Sequence, residues 1–240
     1  MSGLRKALVL CIKEGRPGAE NELKILKTCL EELNFQVSES IDPLRKDILA
    51  SLEKYRDEMD PRVCCSFVFI LAHGKEGKIC GSDNATVDNA DVDLEDVFKM
   101  FNNKECPHLQ YKPKVFVFQV CRGGKKDSGV HSGYRSMGSE PELLPTISDT
   151  FTVYPSQPGF VAYRNTTFGS YMIQEMGKVF KNLADKKHLY DLFVKVNQEM
   201  VKINFKVEDK TKKFEYNRKK TCLVMESTLT KLVYLKVPKP

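Results

Sequence analysis

Apolar positions along the chain follow two alternating rhythms. Residues 7–12, 66–71 and 114–120 are short, nearly uniform apolar runs rich in Val, Ile, Leu and Phe. Runs of that length predict strands covered on both sheet faces. Between them the spacing lengthens to three and four. Leu23, Leu26, Leu30 and Leu33 mark one face of a helix over 19–33. Residues 35–37 predict a short strand. Asp42 followed by Pro43 reads as an N-cap and a first helical position, opening a helix with Ile48, Leu52, Tyr55 and Met59 on one side. Residues 94–102 predict a short helix, 151–154 a strand, and 171–183 and 188–205 two further helices. A polar stretch, 206–220, precedes two closing apolar runs at 222–225 and 232–237. The alternation predicts an α/β fold with a mostly parallel sheet and helices on both faces. Only 122–149, rich in Gly, Ser and Pro, breaks the rhythm, and it predicts a long loop or linker.

Composition narrows the class. A chain of 240 residues, 41% hydrophobic and 29% charged, has the balance of an ordinary globular protein and suffices for one large domain or two small ones. No apolar run approaches the ~20 residues of a membrane span, and the first is too short for a signal peptide. The expected address is therefore cytoplasmic or nuclear, with no membrane partner. Eight cysteines form no C-x-x-C pair and the four histidines are scattered. Free thiols in a reducing compartment are expected, with no metal site and no cofactor. The net charge of +6 is concentrated in the last forty residues, which hold eleven Lys/Arg against four Asp/Glu. Without an aromatic-interleaved motif beside it, this reads as a solvated face, and nucleic acid is not an expected partner.

Two predicted strand ends carry unusual chemistry, and ligands of parallel sheets gather at such ends. One is His73 with Gly74; the other runs Gln119, Val120, Cys121, Arg122, Gly123. A thiol is a few per cent ionised near neutrality, and a neighbouring imidazole raises the thiolate fraction or carries its proton. The backbone N–H groups of Gly74 and Cys121 would stabilise the oxyanion of acyl transfer. The candidate catalytic set is thus His73, Cys121 and Gly74.

A His-Gly pair followed about fifty residues later by Gln-x-Cys-Arg-Gly resembles the caspase family of cysteine peptidases. The likeness extends through residues 16–20, 33–37, 69–77, 112–115, 158–165, 168–170 and 229–231. It implies a caspase-like three-layer sandwich around a mostly parallel six-stranded sheet. Cys121 is implied as nucleophile and His73 as its acid/base partner. Arg16, Gln119 and Arg164 are implied as the pocket for the residue before the scissile bond, with Tyr163 and Val161 shaping neighbouring subsites. Two guanidiniums and an amide suit a short carboxylate, hence cleavage of protein substrates after aspartate.

As domain organisation, the resemblance implies one caspase domain over 1–240, with a large-subunit segment spanning 1–127, an intersubunit linker at 128–143 and a small-subunit segment spanning 144–240. No recruitment domain is expected ahead of it. Activation would yield a homodimer, with the final run near 232–237 meeting its counterpart. The activating protease is not implied. Only Asp127 and Asp149 lie between Cys121 and Phe151, so self-processing of this zymogen is expected to be poor. Val120, in place of the family's usual alanine, crowds the turn before the nucleophile. Together these departures keep open a second reading, a catalytically weak homologue that regulates other proteins by binding. The resemblance otherwise points to a differentiation-type rather than an apoptotic role.

Overall fold

Side chains on successive strand residues point to opposite faces of a sheet, and this sequence fills both faces. The computed structural model describes residues 3–75, 77–85, 91–120, 130–131, 143–158, 162–203, 205–208 and 216–236. Its central sheet consists of β1 (Leu4–Cys11), β2 (Phe35–Ile41), β3 (Val63–Leu71), β4 (Lys114–Gln119), β5 (Thr150–Tyr154) and β6 (Val224–Ser227). The order across the sheet is β6-β5-β4-β3-β1-β2, and every pairing is parallel except β5 with β6.

Among the described residues five helices, α1 (Ala19–Glu32), α2 (Arg45–Asp57), α3 (Leu94–Met100), α4 (Tyr171–Leu183) and α5 (Leu189–Met200), supply the outer layers. Alternation assigns each strand residue to one of two cores. Ala7, Val9 and Cys11 of β1, Phe67 and Phe69 of β3, and Val115 and Val117 of β4 pack under α1, α4 and α5. Their in-between neighbours Leu8, Leu10, Val68, Ile70, Phe116 and Phe118 pack with Ile48, Leu52 and Val97 of α2 and α3. Fully burying one such side chain stabilises the fold by about 1.5–3 kcal/mol. Edge-on aromatic contacts tighten the second core, with Phe98 and Phe116 ring centroids 5.1 Å apart.

Three local expectations are corrected. Asp42 does not cap α2. It adopts a φ of 48°, which its short polar side chain tolerates. Its Oδ1 accepts from the N–H groups of Lys13 (2.5 Å) and Glu14 (3.1 Å), bracing the loop after β1. Helix α5 ends at Met200 rather than 205, where Lys220 Nζ donates to the Val201 carbonyl at 3.0 Å. The polar stretch contains an antiparallel hairpin, Phe205–Glu208 with Tyr216–Lys219. Finally, the described residues of 232–237 form no strand. Val233 and Leu235 are buried instead, and the Val233 carbonyl accepts from Leu189 N–H at 2.7 Å. The outer strand beyond β5 is β6.

Register brings the strand ends together. Cys11 pairs with Leu71, and Leu71 with Gln119, so β1, β3 and β4 finish in one row. The loops leaving that row carry the candidate chemistry.

Candidate active site

Arg16 follows the β1 loop and shortly precedes α1. Its guanidinium is buried and already heavily committed. Nη1 donates to the carbonyls of Ile12 (3.0 Å) and Leu71 (3.1 Å), and Nη2 donates to Glu22 Oε2 at 2.9 Å. Glu22, on the first turn of α1, is wholly buried, and its Oε1 accepts from the N–H of Ser170 at 2.6 Å. Among the described residues, Nε–H and one N–H on Nη2 of Arg16 have no partner.

Arg164 enters from the far end of the chain on a small hairpin, Arg164–Asn165 paired with Gly169–Ser170. Asn165 Oδ1 ties the hairpin turn by accepting from the N–H groups of Thr167 and Phe168. Burial lowers the Arg164 pKa, and the positive charge of Arg16 lowers it further. The two guanidiniums therefore lie near enough for their charges to repel. Arg164 Nη1 and Gln119 Oε1 are buried with no hydrogen-bond partner among the described residues. Native proteins seldom leave such groups unpaired, and an orphan of this kind asks for a ligand or an ion.

His73 sits one residue beyond the Ala72 that follows β3 and is exposed. Its Nε2 lies 3.2 Å from the Gly15 carbonyl. A carbonyl only accepts, so a neutral ring bonded this way has its proton on Nε2 and its lone pair on Nδ1. Gly74 opens a short hairpin, Gly74–Lys75 with Lys78–Cys80. A Cβ on Gly74 would lie 2.3 Å from the Lys78 carbonyl oxygen and 2.4 Å from Val120 Cγ1. Only glycine fits there, and Val120 packs directly against it.

Tyr163 is half-buried against the core under α4. Cys121 and Val161 lie outside the described residues, as does most of the linker at 128–143. The described residues thus place Gln119, His73 and Gly74 at the ends of one strand row, with Arg16 bonded to the Leu71 carbonyl beside Gln119 and Arg164 near enough to Arg16 for their charges to interact. Sequence reasoning missed Glu22, Ser170 and the Gly15 carbonyl. For Glu22 a signal existed, since a charge stands on the stripe that Leu26, Leu30 and Leu33 otherwise keep apolar. Among the described residues no group of His, Cys, Asp and Glu is arranged to hold a metal ion, and no helix is long and apolar enough to cross a membrane.

A caspase-domain family model matches residues 4–234. The chain belongs to the caspase family of cysteine peptidases. It is 35% identical to human Caspase-14 over 242 residues, covering 98% of this chain and 94% of that one. Mouse Caspase-14 is 32% identical with 98% and 93% covered, and chicken Caspase-2 is 31% identical with 78% and 47% covered. The mostly parallel six-stranded sheet between two helical layers is the caspase sandwich expected from the resemblance. The β3 and β4 ends that carry His73 and Gln119 are the segments from which the family motif was read.

Proposed function

We propose that this caspase is an endopeptidase that hydrolyses protein substrates after aspartate, with Cys121 as nucleophile. What supports this is a pair of interacting guanidiniums together with buried polar atoms of Gln119 and Arg164 that have no partner among the described residues. An aspartate carboxylate would take the uncommitted N–H groups of Arg16 and the free Nη1 of Arg164. The Gln119 amide can turn its nitrogen toward the same oxygens.

In the reaction, the Cys121 thiol gives its proton to His73 Nδ1 and the thiolate attacks the carbonyl carbon after aspartate. The N–H groups of Gly74 and Cys121 receive the oxyanion. His73 then protonates the departing amine, leaving a thioester. Water, deprotonated by His73, attacks that thioester and releases the acid and the thiol.

The chain is read as one domain, its large-subunit segment (residues 1–127) joined by the linker (128–143) to its small-subunit segment (144–240). Asp149 makes a poor processing site. It is buried, and its Oδ1 accepts from the Thr230 N–H at 3.1 Å and hydroxyl at 2.5 Å. Activation would therefore use another protease or association of the uncut chain. The active form is read as a homodimer, and β6, an outer strand of the sheet among the described residues, is where a second copy would join.

Turnover of fluorogenic peptides carrying every residue at the cleavage position tests the reading. Intact and linker-nicked protein would be run with and without a kosmotropic salt, which favours association. Turnover confined to aspartate and abolished by Cys121→Ala is expected. Its absence from nicked, dimeric protein would overturn the reading and leave the regulatory homologue standing.

A further inference from the structure

Three observations meet at Glu22. It is a carboxylate with no exposed surface, on a helix whose other inward positions are apolar. Its two oxygens are spent on different segments, Oε2 on Arg16 and Oε1 on the N–H of Ser170, 148 residues away in sequence. The approach that permits this is built from glycine. A Cβ on Gly169 would lie 2.5 Å from Glu22 Cγ, and one on Gly18 would lie 2.7 Å from Gly169 N, both at positive φ. The chain gives up two side chains so that one carboxylate can reach across.

Ser170 is the register partner of Arg164 in its hairpin. Glu22 therefore joins the segment that carries Arg16 to the segment that carries Arg164. One segment lies before the linker and the other after it. We infer that Glu22 is a positioning residue of the aspartate pocket, fixing the separation and facing of its two guanidiniums across the linker boundary. The inference rests on the aspartate-pocket reading of Arg16, Gln119 and Arg164. Arg16 can turn neither way, because its Nη1 is held by Ile12 and Leu71 and its Nη2 by Glu22, so its remaining N–H groups face a set direction. Rigid spacing of two cations is what separates aspartate from glutamate, whose carboxylate arrives one methylene further along.

A second role for the same carboxylate predicts the opposite result. As a mere counter-charge, Glu22 reduces the pocket from two positive charges to one. Removing it would then strengthen attraction for an aspartate side chain and lower KM. As a positioning residue, its loss lets Arg16 and the hairpin drift. Misplacement on the scale of 1 Å costs about 10²-fold.

The test compares wild-type protein with Glu22→Gln, which keeps the shape, and Glu22→Asp, which keeps the charge but is too short to span both partners. Each is assayed for kcat and KM on peptides with aspartate or glutamate at the cleavage position, for Cys121 alkylation by neutral iodoacetamide, and for thermal unfolding. In Glu22→Gln the expected result is a fall in kcat/KM for aspartate of about 10- to 100-fold, carried by KM, with a narrowed aspartate-over-glutamate preference. Cys121 alkylation should stay within about twofold of wild type, since only the pocket is disturbed. Glu22→Asp should fall between the two and secures the test if the glutamine variant does not fold. A lowered KM for aspartate overturns the inference, as does an unchanged preference or a loss matched by slowed alkylation. Wild-type protein that turns over no aspartate peptide overturns the pocket reading itself. Wild-type turnover with unaffected variants overturns only the role given to Glu22.

Discussion

Gly74→Ala is the smallest change that tests the oxyanion-donor role proposed for Gly74 apart from the rest of the site. The added methyl would sit 2.3 Å from the Lys78 carbonyl oxygen and 2.4 Å from Val120 Cγ1. Val120 is buried, so its side chain has little room to yield. The Lys78 carbonyl belongs to the paired hairpin, whose Cys80 N–H in turn donates to the His73 carbonyl at 3.0 Å. Restoring ordinary contact needs a shift of about 1 Å, a scale at which catalysis falls about 10²-fold. Overpacking of this kind also costs roughly 1–3 kcal/mol of stability. Val120→Ala in the same chain removes one of the two overlaps but leaves the backbone one, so the double variant should recover stability more than rate. Steady-state turnover of an aspartate peptide gives the rate, urea unfolding gives the stability, and iodoacetamide labelling of Cys121 shows that the nucleophile survives. Wild-type kcat in Gly74→Ala would refute the reasoning, because the N–H could not then be where the charge develops.

Other consequences are open to measurement. Arg16→Lys replaces a fork holding Ile12, Leu71 and Glu22 with a point charge, and kcat/KM after aspartate should fall by about 10²-fold or more while Cys121 alkylation persists. Burial holds Lys114 down to about 8, so its native pKa lies below the usual 10.5. The native state then loses its proton first, and stability should rise from pH 8 to 10.5, by on the order of 3 kcal/mol relative to Lys114→Met in paired urea titrations. A difference between the two that stays flat over this window would contradict the burial argument. In Cys121→Ala protein at pH 7.5, iodoacetamide followed by mass spectrometry should mark Cys64 first, since a hydrogen bond with Cys65 draws it down to about 6. Burial raises Cys11 and Cys106 to about 11 and Cys29 to about 12, and these should stay unlabelled.

Strands covered on both faces were legible because burial on two sides leaves nothing but apolar residues. The runs at 66–71 and 114–120 fall within or against β3 and β4 for that reason. Amphipathic helices were legible from one stripe each, and α1 and α4 follow theirs to within a residue. What escaped depends on partners distant in sequence. The run at 232–237 looks like a strand by composition, yet its valine and leucine fill a gap beside α5 while Arg5 holds the Leu33 and Leu235 carbonyls. Asp42 before Pro43 has the composition of a cap, but its carboxylate finds the β1 loop first. In the site, His73 and the residues around Cys121 were readable because each stands near a glycine at a strand end. Arg16 and Arg164 were readable only through the family resemblance, since no local pattern distinguishes a pocket arginine from a surface one.

The ion pair between Arg16 and Glu22 is not explained by stability. Taking two charges out of water costs several kcal/mol each, and a well-packed apolar pair of similar volume is often as stable or more so. Lys114, buried with Asn103 Oδ1 at 3.2 Å and the Leu109 carbonyl at 2.9 Å, shows the same expenditure at the opposite end of β4. There it lies among the contacts that hold the chain as it returns from the linker, where Asn103 Nδ2 donates to the Pro145 carbonyl at 3.0 Å and to Ser148 Oγ at 2.8 Å. Both polar networks join segments from before and after residues 128–143. Apolar contacts would hold those segments together but would tolerate sliding, because dispersion and hydrophobic burial lack direction. Hydrogen-bonded charges fix angles as well as distances. A pocket assembled from two stretches of chain needs that directionality most where a misplaced guanidinium would admit the wrong side chain.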